Sequence, residues 1–189
     1  MAKDPNNFEF KEKFKQALKS TIKVISEDFN INQDLKNKDS QKFELFEIDN
    51  LNNKNDFIKA RATSDSKALK IKFSDKNIYR KNLPANSTCK SLYSIAEKVR
   101  YECLGGKMMR GIKKNFEDNY NLMISEKKKD QVKTKEDVNI SEAFELYMLN
   151  RFHGIKLNNL SSKILKYWEN DFDKNIDKHI NFLKKNLEN

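Results

Sequence analysis

Apolar positions along the chain recur mostly at spacings of three and four. Phe10, Phe14, Leu18, Ile22 and Ile25 follow at four, four, four and three, with Lys11, Lys15, Lys19 and Lys23 on the other side. That period predicts an amphipathic helix from Phe8 to Asp28, opened by the start signal Asp4-Pro5. A polar, turn-like stretch at 30–40 interrupts it. KFELFEID and DFIKARAT then lie on either side of LNNKN, rich in Phe and Ile with partial alternation. They predict one small β-hairpin near 42–63.

Helical spacing returns in the second third. Ser64 or Asp65 can cap SDSKALKIKFSDKNIYRKN, with Leu69 and Phe73 in register and a stop at Leu83-Pro84. Ser87 or Thr88 opens the longest element, whose buried stripe is Leu92, Ile95, Ala96, Val99 and Cys103, continued by Ile112 and Phe116. KKKDQVKTKED reads as a charged linker. Ser141 is placed to cap SEAFELYMLNRF, which His153-Gly154 ends. The last helix carries Leu160, Ile164, Trp168, Phe172, Ile176 and Ile180 at strict fours, then Leu183 and Leu187, so its stripe should wrap slowly around the surface. The expectation is a mainly α, multi-helix single domain over 1–189, with about five helices and the one hairpin.

One segment breaks its own rule. Of four glycines, Gly105, Gly106 and Gly111 fall inside EKVRYECLGGKMMRGIKKNF, although each costs about 1 kcal/mol against Ala in a helix interior. Either the glycines let another helix approach closely or let this one bend, or the bend presents Lys107, Arg110, Lys113 and Lys114 as a basic ridge. The two readings are compatible.

Composition sharpens this picture in one respect. Thirteen Phe, six Tyr and one Trp are ample for a core, and the charged fraction is 35%. No run of apolar residues is long enough to span a bilayer, and the N-terminus has no secretory h-region, so a cytoplasmic protein is expected. The net charge of +10 is concentrated: residues 65–114 carry 13 Lys and Arg against 4 Asp and Glu, whereas 1–64 carry 12 against 11 and 115–189 carry 13 against 13. Such a field attracts an acidic protein partner, nucleic acid or anionic lipid. Only 5 of the 38 basic residues are Arg, which weighs against base-specific recognition and bidentate phosphate binding.

Catalytic and metal motifs are missing. Cys89, Cys103, His153 and His179 have no compact ligand spacing, and the two Cys read as small core residues. There is no P-loop, nucleophile elbow or HExxH. A nucleophilic role for Cys103 would need His153 or His179 folded against it. The residues therefore assign no catalytic, cofactor-binding or metal-binding position.

Two blocks do carry a resemblance. ALKIKFSDKNIYRKNLP followed by YSIAEKVRYECLGGKMMRGIKKNF resembles the N-terminal region of the T subunit of aerobic cobaltochelatase, the CobT family. Ala68, Leu69, Asp75, Pro84, Glu97, Arg100, Glu102, Gly105, Met109, Gly111 and Asn115 fall on matching positions. The likeness extends more weakly to FKEKFKQALKSTIKVIS, SEAFELYMLNRFHG and KILKYWENDF. Two family histidines are replaced, by Ser74 and Tyr79, which puts any metal or proton role of those positions in doubt. The family's acidic linker and C-terminal von Willebrand A-type domain are not found in these 189 residues, so the chain is expected to be an N-terminal fragment or a truncated form.

The resemblance implies a place in an ATP-driven machine that inserts cobalt into a corrin ring during cobalamin synthesis. Its partners would be an AAA+ ATPase subunit and a large chelating subunit, and ATP, magnesium and cobalt would belong to the whole complex, none to this chain. The chain would be a non-catalytic assembly module; self-association is left open. Glu97, Arg100, Glu102, Gly105, Met109, Arg110, Gly111 and Asn115 are the signature and partner-contact candidates, and Glu97 with Arg100, three apart on one face, should pair internally. The alternative is a free-standing basic helical module that binds nucleic acid.

Overall fold

The computed structural model describes residues 5–29, 51, 53–126 and 134–186. Among them are eight α-helices and one π-helical turn, and no strand. They fall into two compact units, Met1–Phe73 and Ser74–Asn189. No helix among the described residues is long and apolar enough to cross a membrane.

In the first unit, α1 spans Pro5–Ser26, close to the expected span, and α2 spans Lys54–Phe73. Phe14, Leu18 and Leu51 form a buried cluster with Phe57 and Ala60 against it. The Phe14 and Phe57 rings meet edge to face at 4.9 Å, and Phe10 lies 5.6 Å from Phe57. At the far end, Lys72 of α2 pairs with Glu27 just beyond α1. Start meets start and end meets end, so the two helices run in the same direction.

The hairpin expectation fails here. Residues 56–63, its second arm, are helical within α2, while 42–50 lie outside the described residues. The cause is a reciprocal cap: the Asp56 amide donates to Asn53 Oδ1 and the Asn53 amide donates to Asp56 Oδ2, both at 3.1 Å. This is capping-box geometry built from Asn and Asp. Ser64 and Asp65, expected to start a helix, are instead buried in the middle of α2. The element expected to run on toward Pro84 ends at Phe73, because Asp75 accepts from the amides of Asn77 and Ile78 at 2.7 and 2.9 Å and opens a new short helix, α3, Lys76–Lys81.

The second unit is built around α4, Ser87–Met108. The helix runs straight through Gly105 and Gly106 and stops at Met109, whose backbone is extended at φ −138° and ψ 116°. Helix α5, Arg110–Glu126, then folds back with Ile112, Phe116, Tyr120 and Ile124 buried at strict fours. A Cβ on Gly106 would sit 3.4 Å from the Lys113 Cβ, so the glycine gives room where α5 returns. A Cβ on Gly111 would meet nothing within 4 Å.

Helix α6, Ile140–Met148, is buried almost along its whole length and passes into the π-helical turn Leu149–His153. Gly154, at φ +65°, ends it, as the sequence predicted, in a left-handed conformation that suits glycine. The expected single last helix is two: α7, Asn159–Lys166, and α8, Glu169–Asn186. Five steps of four residues rotate a stripe by about 200°, more than one neighbouring surface can cover. The break at Tyr167-Trp168 lets each half turn its own apolar residues inward, with Phe172 packed on Phe144 and Tyr147 at 5.4 and 5.2 Å.

Asparagine makes most of the caps in this unit. Asn86, Asn139 and Asn158 accept from the amides of Cys89, Ser141 and Ser161, so two helices begin at Asn rather than at Ser87 or Thr88 and Ser141 as expected, and α7 is capped by Asn158. Asn158 does more, since its Nδ2 also donates to the Ile124 carbonyl of α5 at 2.8 Å. Asn158→Ala should therefore lower stability by about 2 kcal/mol, the sum of a lost cap and an orphaned carbonyl. Asn158→Asp should recover roughly the cap alone. Urea unfolding followed by Trp168 fluorescence checks both, and equal stability of Ala and wild type would refute the double role.

Candidate functional site

The signature block is divided by the fold into three environments. Glu97 and Arg100 face one another one turn apart on α4. Arg100 Nε and Nη2 donate to the two carboxylate oxygens of Glu97 at 2.7 and 2.8 Å, the expected internal pair. This two-point bond raises the Arg100 pKa above its ordinary value. Ser74, where the family has histidine, donates to the same carboxylate at 2.5 Å. Tyr79, at the other replaced position, shares a hydrogen bond with Ser94 at 2.7 Å, and its ring lies 5.1 Å from Tyr93. Both replacements thus tie the α3 region to α4.

Glu102 and Gly105 are buried. Glu102 is only 1% exposed and accepts a hydrogen bond from the Tyr120 hydroxyl of α5. Next to it, His153 from the π-helical turn brings Nε2 to 3.8 Å from Glu102 Oε2 and to 3.6 Å from Cys103 Sγ. The Tyr120 and His153 rings are 5.6 Å apart. Four groups from three elements converge here. The chain pattern alone joined none of them, although Glu102 among apolar neighbours was a signal that a charge is buried and needs partners.

The electrostatics of this cluster decide its chemistry. Burial, followed by the Glu102 carboxylate, pushes the Cys103 thiol up to about 12, and Lys107, Lys113 and Lys184 do not reverse it. Burial, then Lys98 and Lys113, takes His153 down to about 4. Burial and Glu102 also raise the Tyr120 phenol. At neutral pH the thiol, imidazole and phenol are all uncharged. A nucleophilic cysteine requires the reverse arrangement, a thiolate beside a cation. His153 does fold against Cys103, then, but in protonation states that leave the thiol inert. Cys89 and His179 are exposed elsewhere, and no three His, Cys, Asp or Glu side chains among the described residues group so as to hold a metal ion.

Above this cluster lies a half-open cleft of about 470 Å³. Lys107 of α4, Lys113 of α5, Arg151, Phe152 and His153 of the π turn and Lys184 of α8 line it, together with Cys103, Gly106 and Gly154. Of the four cations anticipated as a ridge, Lys107 and Lys113 face this cleft. Lys114 instead pairs with Asp118 at 2.5 Å. Met109, Arg110 and Gly111 form an exposed corner between α4 and α5, and Asn115 is half-buried.

The described residues thus form a helical protein with a cation-lined cleft over a buried, hydrogen-bonded cluster. Residues 9–189 match the family described as cobalamin biosynthesis protein CobT, so the chain belongs to the CobT family and its role lies in cobalamin biosynthesis. No curated protein matches the chain, and no solved structure does.

Two outcomes follow from this geometry. Arg100→Ala removes both bonds to Glu97 and should cost about 1 kcal/mol, discounted because the guanidinium is 38% exposed. It should lower the melting temperature by a few degrees, and an unchanged melting temperature would show the pair to be idle. His153 binds a proton in the unfolded chain near pH 6.5 but in the folded chain only near 4. Between those values the unfolded state holds more protons, so stability rises with pH across the window and is lost as pH falls through it. The full effect is about 3 kcal/mol. His153→Asn should flatten that limb in chemical unfolding measured from pH 7 to pH 4, relative to wild type.

Proposed function

We propose that the chain is a non-catalytic assembly module of an ATP-dependent cobaltochelatase, the complex that inserts cobalt into a corrin ring, and that it contacts the AAA+ subunit. The match of residues 9–189 to the CobT family carries this reading. The uncharged state of Cys103 and His153 supports a non-catalytic role, because the one thiol–imidazole pair in the chain is held unreactive. In this reading ATP, magnesium and cobalt act elsewhere in a cytoplasmic complex, and the large chelating subunit handles the corrin.

The exposed Met109–Gly111 corner is the proposed contact. Met109 is apolar and 37% exposed, Arg110 next to it adds charge, and both sit at a sharp turn that buried packing holds in place. An exposed Met–Arg pair on a rigid corner suits a protein interface, where both residue types are enriched. The basic segment has many of its charges already answered: Lys98 pairs with Glu145, Arg100 with Glu97, Lys113 with Glu117 and Lys114 with Asp118. That internal pairing weighs against the nucleic-acid alternative, which needs cations free to face phosphates.

Size-exclusion chromatography with light scattering tests the proposal, using this chain, the AAA+ subunit of the same organism and ATP. A stoichiometric complex is expected, and Arg110→Glu should weaken it about tenfold or more, as for a central interface charge. No complex under any nucleotide condition, together with salt-sensitive retention of nucleic acid, would favour the alternative.

A further inference from the structure

The basic middle of the chain answers many of its charges internally, and four that it leaves unanswered collect where α3 meets the start of α4. From Asp75 to Lys90 the sequence holds Lys76, Arg80, Lys81 and Lys90 against Asp75 alone. All four cations are exposed, and among the described residues none of their side chains has a hydrogen bond, ion pair or ring contact. The carboxyl groups of this region are already engaged. Asp75 accepts from the amides of Asn77 and Ile78, and Glu97 accepts from Arg100 and Ser74.

The fold gives no reason for this arrangement. Helix α3 contributes no buried residue, so the core does not dictate its composition. It is nevertheless tied down: Asp75 caps it, Tyr79 shares a hydrogen bond with Ser94 at 2.7 Å, and the Tyr79 and Tyr93 rings lie 5.1 Å apart. Ser94 also donates to the Lys90 carbonyl one turn earlier on the same face of α4, which sets Lys90 beside the docked Tyr79. Lys76 and Arg80 are one turn apart on α3, a like-charged spacing that disfavours the helix carrying it. Arg80 and Lys81 suit the last turn of a helix, but Lys76 stands in the first, where a cation is disfavoured. Among these cations Ile78 is 61% exposed, an apolar side chain that α3 turns into water.

We infer that the α3–α4 corner docks an acidic segment of a partner protein, with carboxylates facing Lys76, Arg80, Lys81 and Lys90 and an apolar side chain covering Ile78. Charge complementarity sets the sign of the partner, and the exposed isoleucine sets its class. A protein interface is apolar at its centre and polar at its rim, whereas a phosphate track has no use for an isoleucine. This surface is separate from the Met109–Gly111 corner, which lies roughly 28 Å from Lys90 along α4. The inference does not rest on the chelatase reading, because its test needs no other subunit.

The test is fluorescence anisotropy on the full chain with two fluorescein-labelled peptides, one of repeated Glu-Glu-Leu and one of Glu alone. The leucine-containing peptide should saturate and should bind more tightly than the other. Ile78→Ser should remove that advantage and leave the all-Glu peptide unaffected. Lys76→Gln, Arg80→Gln and Lys81→Gln together should weaken binding by about tenfold or more, the loss of three charge contacts. These side chains are exposed, so the fold should survive, and circular dichroism reports whether it does. The matched change Lys174→Gln, Lys178→Gln and Lys185→Gln, all exposed on α8, removes the same net charge and should leave binding unchanged. Failure of the leucine-containing peptide to saturate in the low millimolar range would overturn the inference. So would equal binding of the two peptides, or an equal loss in the α8 variant, which would mean diffuse attraction to a basic protein. Tighter binding of oligothymidylate or of phosphatidylserine vesicles than of the peptide would overturn it in favour of nucleic acid or a membrane surface.

Discussion

The second unit is organised around one buried acidic side chain. Glu102 sits at 1% exposure on α4, and a carboxylate taken out of water costs several kcal/mol unless other groups replace the water it lost. Tyr120 can donate to it only if α5 folds back on α4, which requires the chain to turn at Met109. His153 can stand beside it only because the π-helical turn after α6 carries the ring to the same point. Two turns that look unrelated along the chain, at Met109 and after α6, therefore bring their partners to the same buried group. A π-turn at such a place is common where a side chain must be re-aimed.

The same burial shapes the surface above. A neutral imidazole and a neutral thiol form a floor that is polar without being charged, while the lysines around the rim remain in water. Polarity is thus sorted by depth: a hydrogen-bonded carboxyl group inside, neutral groups at the floor, where a cysteine and a histidine lie side by side, and exposed lysines at the mouth. The family's role in cobalamin biosynthesis says nothing by itself about this cleft; its character follows from which elements the fold brings together.

Much of the helical architecture was legible from spacing. The α1 stripe from Phe14 to Ile25, though not the exposed Phe10, the Ile112–Phe116 continuation and the His153-Gly154 stop appear where periodicity and glycine chemistry put them. Several of the errors share a cause. Starts were assigned to Ser, Thr or Asp, but Asn53, Asn86, Asn139 and Asn158 do the capping, so helices begin earlier and one presumed strand is the first part of α2. The glycine pair looked like the point of bending, yet a helix tolerates it when the lost propensity is offset by close packing, and the break fell three residues later.

The candidate site divides along the same line. The sequence by itself determined the helical class, the family, the pairing of Glu97 with Arg100 and the concentration of positive charge in the middle third, because each is a matter of residues close together on one helix or of counts along the chain. Only the tertiary structure decided that Glu102 meets Tyr120, that His153 lies against Cys103 from fifty residues away, and that Lys107, Lys113, Arg151 and Lys184 share one cleft. Helical periodicity tells which face of an element turns inward but carries no information about which other element it will find there. That choice is made by packing, where a buried polar group such as Glu102 must also find its hydrogen-bond partner.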